Sequence, residues 1–211
     1  MSSAPPRSDI PKLSELPLVI DTARLKLRPI SPADVDDLWP YVSDPTFPRY
    51  MTWEAHTDRE QSLAMIAANT AALAEGTDVV WAIEHDRRAS GMIGLHEIRW
   101  HQRAWRIDRA VLGYWLAPRL AGQGLMSEAA AEVTSWAFDT LGLHKVCVGC
   151  IEDNVASKRV IEKLGFRFVG RREDHAFRDG RWMHHLDYEI TAGEWSDTTR
   201  TLRFPRSIAP R

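Results

Sequence analysis

A glycine-rich turn and two polar residues beyond it carry the clearest chemical pattern of this 211-residue chain. The turn reads Arg-Leu-Ala-Gly-Gln-Gly at residues 119–124. Glycine lacks a Cβ, so a turn with two glycines lets the backbone approach a ligand closely. When a helix follows, its unpaired N–H groups and positive dipole end favour a pyrophosphate. The predicted contacts are Arg119, through a charge-assisted bond, and Gly122, Gln123, Gly124, Leu125, Met126 and Ser127.

Asn154 and Ser157 lie at the start of a second predicted helix. Asn154 occupies the N-cap position, where a side-chain oxygen accepts a hydrogen bond from the helix backbone. The residue type leaves two interpretations open: a plain cap, and a cap that also contacts a ligand. Ser157 falls near the third helical position, from which its hydroxyl group could reach into a gap beside the helix.

Two common nucleotide-binding motifs do not fit the turn. A P-loop requires a lysine directly after its second glycine, whereas Leu125 and Met126 follow Gly124. A dinucleotide-binding fingerprint requires a third glycine, which this stretch lacks. The remaining template is Arg-x-x-Gly-x-Gly between a strand and a helix, and the Asn-x-x-Ser helix after it makes the pattern specific.

The elements around these residues follow the order strand, turn, helix, strand, helix. The apolar stretch 111–117 ends before Pro118, which has no N–H for a strand ladder. The next segment repeats apolar residues at helical spacing and stops at Gly142, a typical C-cap residue. Lys145–Ile151 then reads as a short buried strand, and the last helix ends at Gly165.

Residues 111–166 resemble the acetyl-CoA-binding core of GNAT-type N-acetyltransferases, in particular the RimJ/RimL-like branch. The matching motifs are Gly-Tyr-Trp-Leu at 113–116, Gly-x-Gly at 122–124, Ser-Glu-Ala at 127–129, Asn-x-x-Ser at 154–157 and Glu-Lys-Leu-Gly-Phe at 162–166. A looser match covers residues 22–28, a typical opening for this branch. The resemblance implies an α+β, three-layer GNAT-like fold. Its mixed, mostly antiparallel sheet would have splayed central parallel strands and flanking helices.

The resemblance also implies where acetyl-CoA binds. In the similar fold, the pantetheine arm lies between the splayed strands and pairs with free backbone groups, here near Trp115, Leu116 and Ala117. A backbone N–H of Leu116 or Ala117 would polarise the thioester carbonyl. The side chains of this strand could equally be core.

By the same resemblance, Asn154 contacts the cofactor arm and Ser157 protonates the departing CoA thiolate. Many other GNAT enzymes use a tyrosine one turn later, where this chain has Ile161. Both assignments are carried over from the matching motif and are expectations at this point.

The acceptor amine must lose a proton before it attacks, which requires a carboxylate, a histidine or a water chain near the thioester. Some relatives place a glutamate before the Gly-Tyr motif, but this chain has Val111 there. Each candidate could instead be a solvated loop residue. The candidates are Glu97 and Asp174, which are preferred, and Asp108, Glu173 and His175. His184 and His185 are adjacent on a predicted strand, so only one faces inward, and structural histidines are expected there.

Charge and composition place neither nucleic acid nor membrane among the expected partners. The net charge is -2 and no apolar run reaches the length of a transmembrane helix. The N-terminus lacks a signal pattern, which predicts a cytoplasmic protein. Cys147 and Cys150 lie three residues apart on a predicted strand and would face opposite sides, so we expect two small hydrophobic residues and no redox pair or metal site.

We expect one domain over residues 18–195, after a disordered leader at 1–17 and before a loosely held tail at 196–211. A first strand is predicted at 18–28, followed by two helices that begin near Ser31 and Thr57. Strands at 79–85 and 90–98 form a predicted hairpin, and residues 99–106 a basic, aromatic loop. The last two strands are predicted at 167–172 and 184–191, with a polar loop between them.

The predicted reaction is direct transfer of an acetyl group from acetyl-CoA to an amine acceptor. The first choice of acceptor is the α-amine of a protein or peptide. Two alternatives stay open: a small amine such as an amino acid, polyamine or antibiotic, and a non-catalytic acyl-CoA sensor. An aromatic pocket for the acceptor and a homodimer are further possibilities. The aromatic residues considered are Tyr50, Trp53, Trp100 and Trp105.

Overall fold

The computed structural model describes residues 9–202, with side chains as far as residue 198. Eight strands form a single sheet. They are β1 (Ile20–Asp21), β2 (Lys26–Pro29), β3 (Val79–His85), β4 (Arg88–Gln102), β5 (Trp105–Leu116), β6 (Lys145–Ile151), β7 (Arg167–Arg178) and β8 (Arg181–Thr191). The helices are α1 (Val35–Val42), α2 (Arg59–Glu75), α3 (Leu125–Trp136), α4 (Val155–Lys163) and α5 (Ala192–Leu202).

The strand order is β1-β2-β3-β4-β5-β6-β8-β7, and every neighbouring pair is antiparallel except β5 and β6. These two central strands pair in parallel only from Arg109–Lys145 to Leu112–Val148. Beyond that point β5 continues to Leu116 and β6 to Ile151, but the two strands no longer pair with each other. The mixed sheet with diverging central parallel strands confirms the predicted fold.

The two faces of the sheet carry separate cores, because side chains alternate along each strand. On β4, Ile93 and Leu95 join the larger core beneath α3 and α4, while Met92 joins the smaller core beneath α1 and α2. On β5, Leu112 belongs to the first core and Trp115 to the second. We refer to these as the α3/α4 face and the α1/α2 face.

The hairpins are longer than the sequence predicted. Residues 99–106, expected to be a loop, form the ends of β4 and β5, with Gln102 opposite Trp105. Residues 173–183, expected to be mostly loop, extend β7 and β8 to a turn at Asp179-Gly180. The ends of these strands were predicted as loops because their side chains are mostly polar or aromatic. Both hairpin ends project into solvent and lack the apolar alternation that indicates a strand.

The front of the chain departs from the prediction in two ways. Residues 9–17 are not a disordered leader: Leu13 is buried in the larger core, and the carbonyl of Pro17 accepts a hydrogen bond from Trp136 Nε1 at 2.8 Å. Residues 1–8 lie outside the described part of the chain. The predicted strand at 18–28 is a small hairpin of β1 and β2, which the backbone N–H of Thr22 closes by donating to Leu25 O at 2.9 Å.

The end of the chain also differs from the expected tail. α5 extends to Leu202, and Trp195 is buried with its indole N–H 3.1 Å from Ser135 Oγ on α3. Residues 203–211 lie outside the described part of the chain. Cys147 and Cys150 both carry free thiols, and burial raises the pKa of each, which suits the predicted role as small core residues.

Candidate active site

The divergence of β5 and β6 opens a cavity of about 920 Å³. Its walls come from residues 111–116 of β5, the turn before α3, the N-terminus of α4 and the loop between α1 and α2. The cavity therefore lies at the point where β5 and β6 stop pairing, in the gap that the resemblance implied. Its volume is within the range of ordinary ligand sites.

The glycine turn has the backbone that the sequence led us to expect. Gly122 and Gly124 have φ values of 76° and 77°, a left-handed conformation that favours glycine. A Cβ at Gly122 would meet nothing within 4 Å. Among the described residues, the backbone N–H groups of 122–127 have no hydrogen-bond acceptor, and the first helical bond runs from Glu128 N to Gly124 O. The turn and the first turn of α3 thus offer a cluster of free amides to an anion.

Arg24 and Glu128 hold this turn against the β1–β2 hairpin. The Arg24 guanidinium bonds to the Glu128 carboxylate at 2.7 Å and donates to Gln123 O at 2.9 Å. The Thr22 hydroxyl donates to the same carboxylate at 2.6 Å. Burial works to raise the pKa of Glu128, but hydrogen bonds from Thr22 and Arg24 outweigh it and keep that pKa below its ordinary value.

Two predicted cofactor contacts, Arg119 and Ala117, are already engaged within the protein, and Gln123 keeps only its backbone N–H for a ligand. The Arg119 side chain turns away from the cavity and donates to Ser90 Oγ at 2.8 Å and to Tyr41 Oη at 3.1 Å. The Gln123 side chain folds back onto Arg119 O at 3.3 Å. The Ala117 N–H is already paired with Ser90 O at 2.7 Å. The charge beside the turn comes from Arg24 instead, which the sequence reasoning missed.

The backbone of Leu116, unlike that of Ala117, is free to bind a ligand in the cavity. Successive residues of a strand direct their backbone groups to opposite sides, and Ala117 bonds towards β4. Leu116 therefore directs its N–H and C=O to the side that β6 has left. The backbone contacts expected on β5 are therefore limited to its open edge, where Trp115 and Leu116 line the cavity. Leu125, Met126 and Ser127, whose amides are free, line the cavity from the start of α3.

Asn154 and Ser157 occupy the start of α4, as predicted. Asn154 Oδ1 accepts from Ser157 N at 3.1 Å, so Asn154 is a helix cap. The Ser157 hydroxyl lies 3.1 Å from the Tyr114 hydroxyl across the gap between α4 and β5. Burial raises the pKa of Tyr114 above its ordinary value, so this phenol stays protonated. Tyr114 was predicted only as a strand residue, and only the fold reveals its contact with Ser157.

Most of the predicted proton acceptors lie away from the cavity. Asp174 is exposed on β7 and sits 3.7 Å from His184 Nδ1. Glu173 pairs with Arg171 at 2.7 Å, and His175 packs on His185 with ring centroids 4.9 Å apart. Asp108 is buried in an ion pair with Arg106. Of the five candidates, Glu97 lines the cavity.

Two histidines that the sequence reasoning passed over line the cavity. His56 Nδ1 is 2.7 Å from Ser62 Oγ, and burial lowers the pKa of His56. His96 Nδ1 is 2.9 Å from Asp78 Oδ1. The tight turn at residues 86–87 is not enough to reveal the second pair, because an antiparallel register counted outward from it places Asp78 opposite Leu95. The register shift between Ala82 and Glu84 moves Asp78 one residue further along, to His96.

An aromatic wall borders the cavity on the α1/α2 face. Phe47 packs edge-on against Trp115 at 5.2 Å and lies 6.3 Å from Trp53. Two predicted members of this wall do not belong to it: Trp105 is 75% exposed at a hairpin tip, and Trp100 packs beneath Arg106. Tyr50 and Trp53 do line the cavity.

Two further observations concern membranes and metal ions. Within residues 9–202, no helix combines the length and the apolarity that a membrane crossing requires. Over the same residues, no three His, Cys, Asp or Glu side chains are grouped closely enough to hold a metal ion.

The free amides of the glycine turn suit a diphosphate, and the open edge of β5 suits the extended arm of a ligand. The acetyltransferase (GNAT) domain family matches residues 24–167, and the chain belongs to this family. It is therefore an N-acetyltransferase that uses acetyl-CoA and an acceptor amine.

Similar proteins carry N-acetyltransferase names, which is consistent with this assignment. YoaA of Bacillus subtilis, named as an uncharacterized N-acetyltransferase, is 31% identical over 162 residues, which cover 77% of this chain and 90% of YoaA. YdaF of the same organism, a ribosomal N-acetyltransferase by provisional name only, is 31% identical over 113 residues, 53% of this chain and 58% of YdaF.

Solved structures share the fold. The ribosomal L7/L12 α-N-protein acetyltransferase RimL, in complex with coenzyme A, superposes with a TM-score of 0.73 at 21% identity and covers 82% of this chain and 97% of RimL. The spermidine N-acetyltransferase of Vibrio cholerae, in complex with CoA and spermine, gives a TM-score of 0.72 at 17% identity, with 83% of this chain and 99% of that protein covered.

Proposed function

We propose that the enzyme acetylates the α-amino group of a protein or peptide. The observation that carries this proposal is the character of the acceptor side of the cavity. Its wall is aromatic, and Glu97 is the one acidic side chain among the described residues that line it, beside the basic His56, His96, Arg159 and Lys163. A polyamine with several positive charges would need more carboxylates than this. A peptide N-terminus brings one ammonium and an apolar side chain to pack on the wall.

The roles of the chain's own residues follow from their positions. The free amides of the glycine turn would bind the diphosphate of acetyl-CoA, and the open edge of β5 at Leu116 would hold its arm. When bound, the coenzyme supplies a thioester that an amine can attack. Asn154 fixes the N-terminus of α4, and Ser157 would donate a proton to the departing sulfur, with the protonated Tyr114 hydroxyl behind it.

Peptide acetylation is tested with purified enzyme, acetyl-CoA and three groups of amines. The first is a set of peptides that differ only in residue one, each with an N-formylated copy that keeps its lysines. The second contains spermidine and spermine, and the third contains small aromatic amines. Thiol release and product mass are measured. We expect acetylation of free peptide N-termini and none of their formylated copies.

Each other outcome identifies a different function. Turnover of polyamines in preference to all peptides would overturn the proposal. The aromatic wall of Phe47, Trp53 and Trp115 favours one second candidate, a small aromatic amine, which the third group detects. Tight CoA binding, with no thiol released from acetyl-CoA in the presence of any of the amines, would indicate a sensor.

A further inference from the structure

We propose that His96, held by Asp78, accepts the proton that the acceptor ammonium must lose. This inference rests on the proposed function, since it concerns the amine that attacks in the same cavity. Five other residues were predicted as candidates for this role, and four of them lie outside the cavity. His96 stands on β4 beside the point where β5 and β6 separate.

The hydrogen bond to Asp78 orients the His96 ring. Nδ1 lies 2.9 Å from Asp78 Oδ1, on the loop between α2 and β3. A carboxylate can only accept, so Nδ1 carries the hydrogen and Nε2 keeps its lone pair. The carboxylate also stabilises the positive charge that forms when Nε2 gains a proton. The pair is therefore built to accept a proton at Nε2.

Two glycines make the space that the ring occupies. A Cβ on Gly94 would lie 2.9 Å from His96 Nε2, and a Cβ on Gly113 would lie 3.2 Å from His96 Cδ2. Gly94 and Gly113 face each other across β4 and β5. Any larger residue at either position would push the ring aside. The imidazole thus rests over the last part of β5 before the cavity opens, and both His96 and Gly113 line that cavity.

His96 and Ser157 approach the cavity from opposite faces of the sheet. His96 lies two residues from Gly94 and four from Met92, so it shares their α1/α2 face, which also carries the aromatic wall. Ser157 meets Tyr114 from α4 on the other face. An amine that enters along the aromatic wall therefore meets His96 first, while the leaving sulfur would lie towards Ser157.

The step balances in atoms and charge. The ammonium N–H bond breaks and its proton goes to His96 Nε2, which leaves the nitrogen lone pair free. With acetyl-CoA bound, that pair would form the C–N bond to the acetyl carbon as the C–S bond broke, and the sulfur would keep the bonding electrons. Ser157 would give its hydroxyl proton to the sulfur and would regain a proton from solvent. The second proton that the amide nitrogen sheds passes to water.

Other groups around His96 are titratable or charged, and the test must separate them. Asp78 contacts its ring, Glu97 follows it on β4, and His56, Arg159 and Lys163 come from other parts of the cavity wall. Glu97 is more than half exposed and 3.2 Å from Arg99, so its carboxylate is already paired with a cation. His56 Nδ1 is held by Ser62 rather than by a carboxylate.

The first experiment measures kcat/KM against pH for the wild type, His96→Gln, Asp78→Asn and His101→Gln. His101 is an exposed histidine on the same strand, so His101→Gln is the matched control. We expect His96→Gln to lower kcat/KM by about 100-fold and to remove the acidic limb of the profile. Asp78→Asn should lower it by a smaller factor, because the His96 ring loses the partner that orients it. Profiles of unchanged shape in His96→Gln would overturn the inference.

A second pair of measurements separates a chemical role from a structural one. Free imidazole should restore part of the activity of His96→Gly, whereas a structural defect would not respond to it. In the enzyme without coenzyme, the NMR signal of the His96 ring, assigned by its loss in His96→Gln, should move when acceptor peptide is added. No rescue together with no movement would overturn the inference. Failure of the wild type to acetylate any amine would instead overturn the proposed function.

Discussion

The contact between Tyr114 and Ser157 joins a strand residue to a helix residue at the edge of the cavity. Their hydroxyls are 3.1 Å apart, and the raised pKa of Tyr114 keeps its proton on the oxygen at all ordinary pH values. A phenol in this state can donate a hydrogen bond to Ser157 Oγ but cannot act as a base. The pair therefore suits delivery of a proton to sulfur.

Removal of either hydroxyl should slow turnover without weakening coenzyme binding. We expect Ser157→Ala to lower kcat by about 100-fold, the lower end of general acid catalysis, and Tyr114→Phe to lower it less. The Kd of CoA, measured by calorimetry, should stay within about twofold because the contacts to the diphosphate are elsewhere. An unchanged kcat in Ser157→Ala with unchanged CoA affinity would remove Ser157 from the mechanism.

Glu128 gives a residue-scale prediction about pH and stability. Its pKa is lower in the folded protein than its ordinary value of 4.5. A carboxyl with a depressed folded pKa stabilises the fold above its unfolded pKa, and this contribution disappears as the pH falls through the folded pKa. We expect Glu128→Gln to lower the free energy of unfolding at pH 7 by about 1–2 kcal/mol, allowing for screening at the half-exposed Arg24.

The measurement is a series of urea unfolding curves for the wild type and Glu128→Gln between pH 7 and pH 3. The gap between the two proteins should be largest above pH 4.5 and should shrink steadily below it. A gap that is independent of pH would show that the carboxylate charge is not what the Arg24 contact stabilises.

At the scale of elements, the sequence predicted the central part of the fold well and its edges poorly. Lys145–Ile151 and the helix capped by Asn154 were predicted correctly, because apolar periodicity, a cap residue and turn glycines all agreed. The ends of β4, β5, β7 and β8 were missed, since pairing with a neighbour stabilises them rather than burial of their own side chains. A single chain gives no direct signal for such pairing.

Arg178, near the β7–β8 turn, ties that hairpin to the loop that borders the acceptor side of the cavity. Its guanidinium is partly buried and donates to three carbonyls of that loop, with a 3.0 Å bond to Trp53 O, and it pairs with Glu54 at 2.8 Å. Tyr50, Met51 and Trp53 of the same loop line the cavity. The hairpin thus sets the position of the aromatic wall.

Loss of the Arg178 side chain should therefore affect the acceptor and spare the coenzyme. We expect Arg178→Met to raise the KM of the acceptor by about tenfold, which is about 1.4 kcal/mol of binding, and to leave the Kd of CoA unchanged. Arg171→Met is the matched control, because Arg171 lies on the same strand and pairs with Glu152 and Glu173 in solvent. Equal effects of the two variants would mean that the hairpin plays no part in acceptor binding.

At the scale of the whole molecule, the sheet brings together groups that are far apart in sequence. Tyr114 and Ser157 are 43 residues apart, and Asp78 and His96 are separated by a complete hairpin. Local patterns revealed the glycine turn and the helix cap, because each depends on residues within its own short segment. They could not reveal pairs whose geometry depends on strand order and register, so the contacts that Ser157 and His96 make with their partners were the least predictable part of the site.

Coenzyme binding should stabilise the whole fold, because the ligand joins both sides of the cavity between β5 and β6. At CoA concentrations near 100 times Kd, binding adds about 2.7 kcal/mol to the free energy of unfolding. For a chain of this size, that raises Tm by roughly 5–10 °C. Gly122→Ala should reduce this shift. A Cβ at Gly122 meets nothing in the protein, but it would stand beside the free amides of the turn.

Gly180 provides a control matched in both backbone and space. Its φ is 75°, against 76° at Gly122, and a Cβ there also meets nothing within 4 Å. Each alanine substitution should therefore lower the Tm of the ligand-free protein by a similar amount, since an L-residue in this conformation costs about 1–2 kcal/mol. Thermal scans with and without CoA should show a reduced ligand shift in Gly122→Ala and a full one in Gly180→Ala. If both variants kept the full shift, coenzyme would bind without close approach to the glycine turn, and the site would have to lie elsewhere along the cavity.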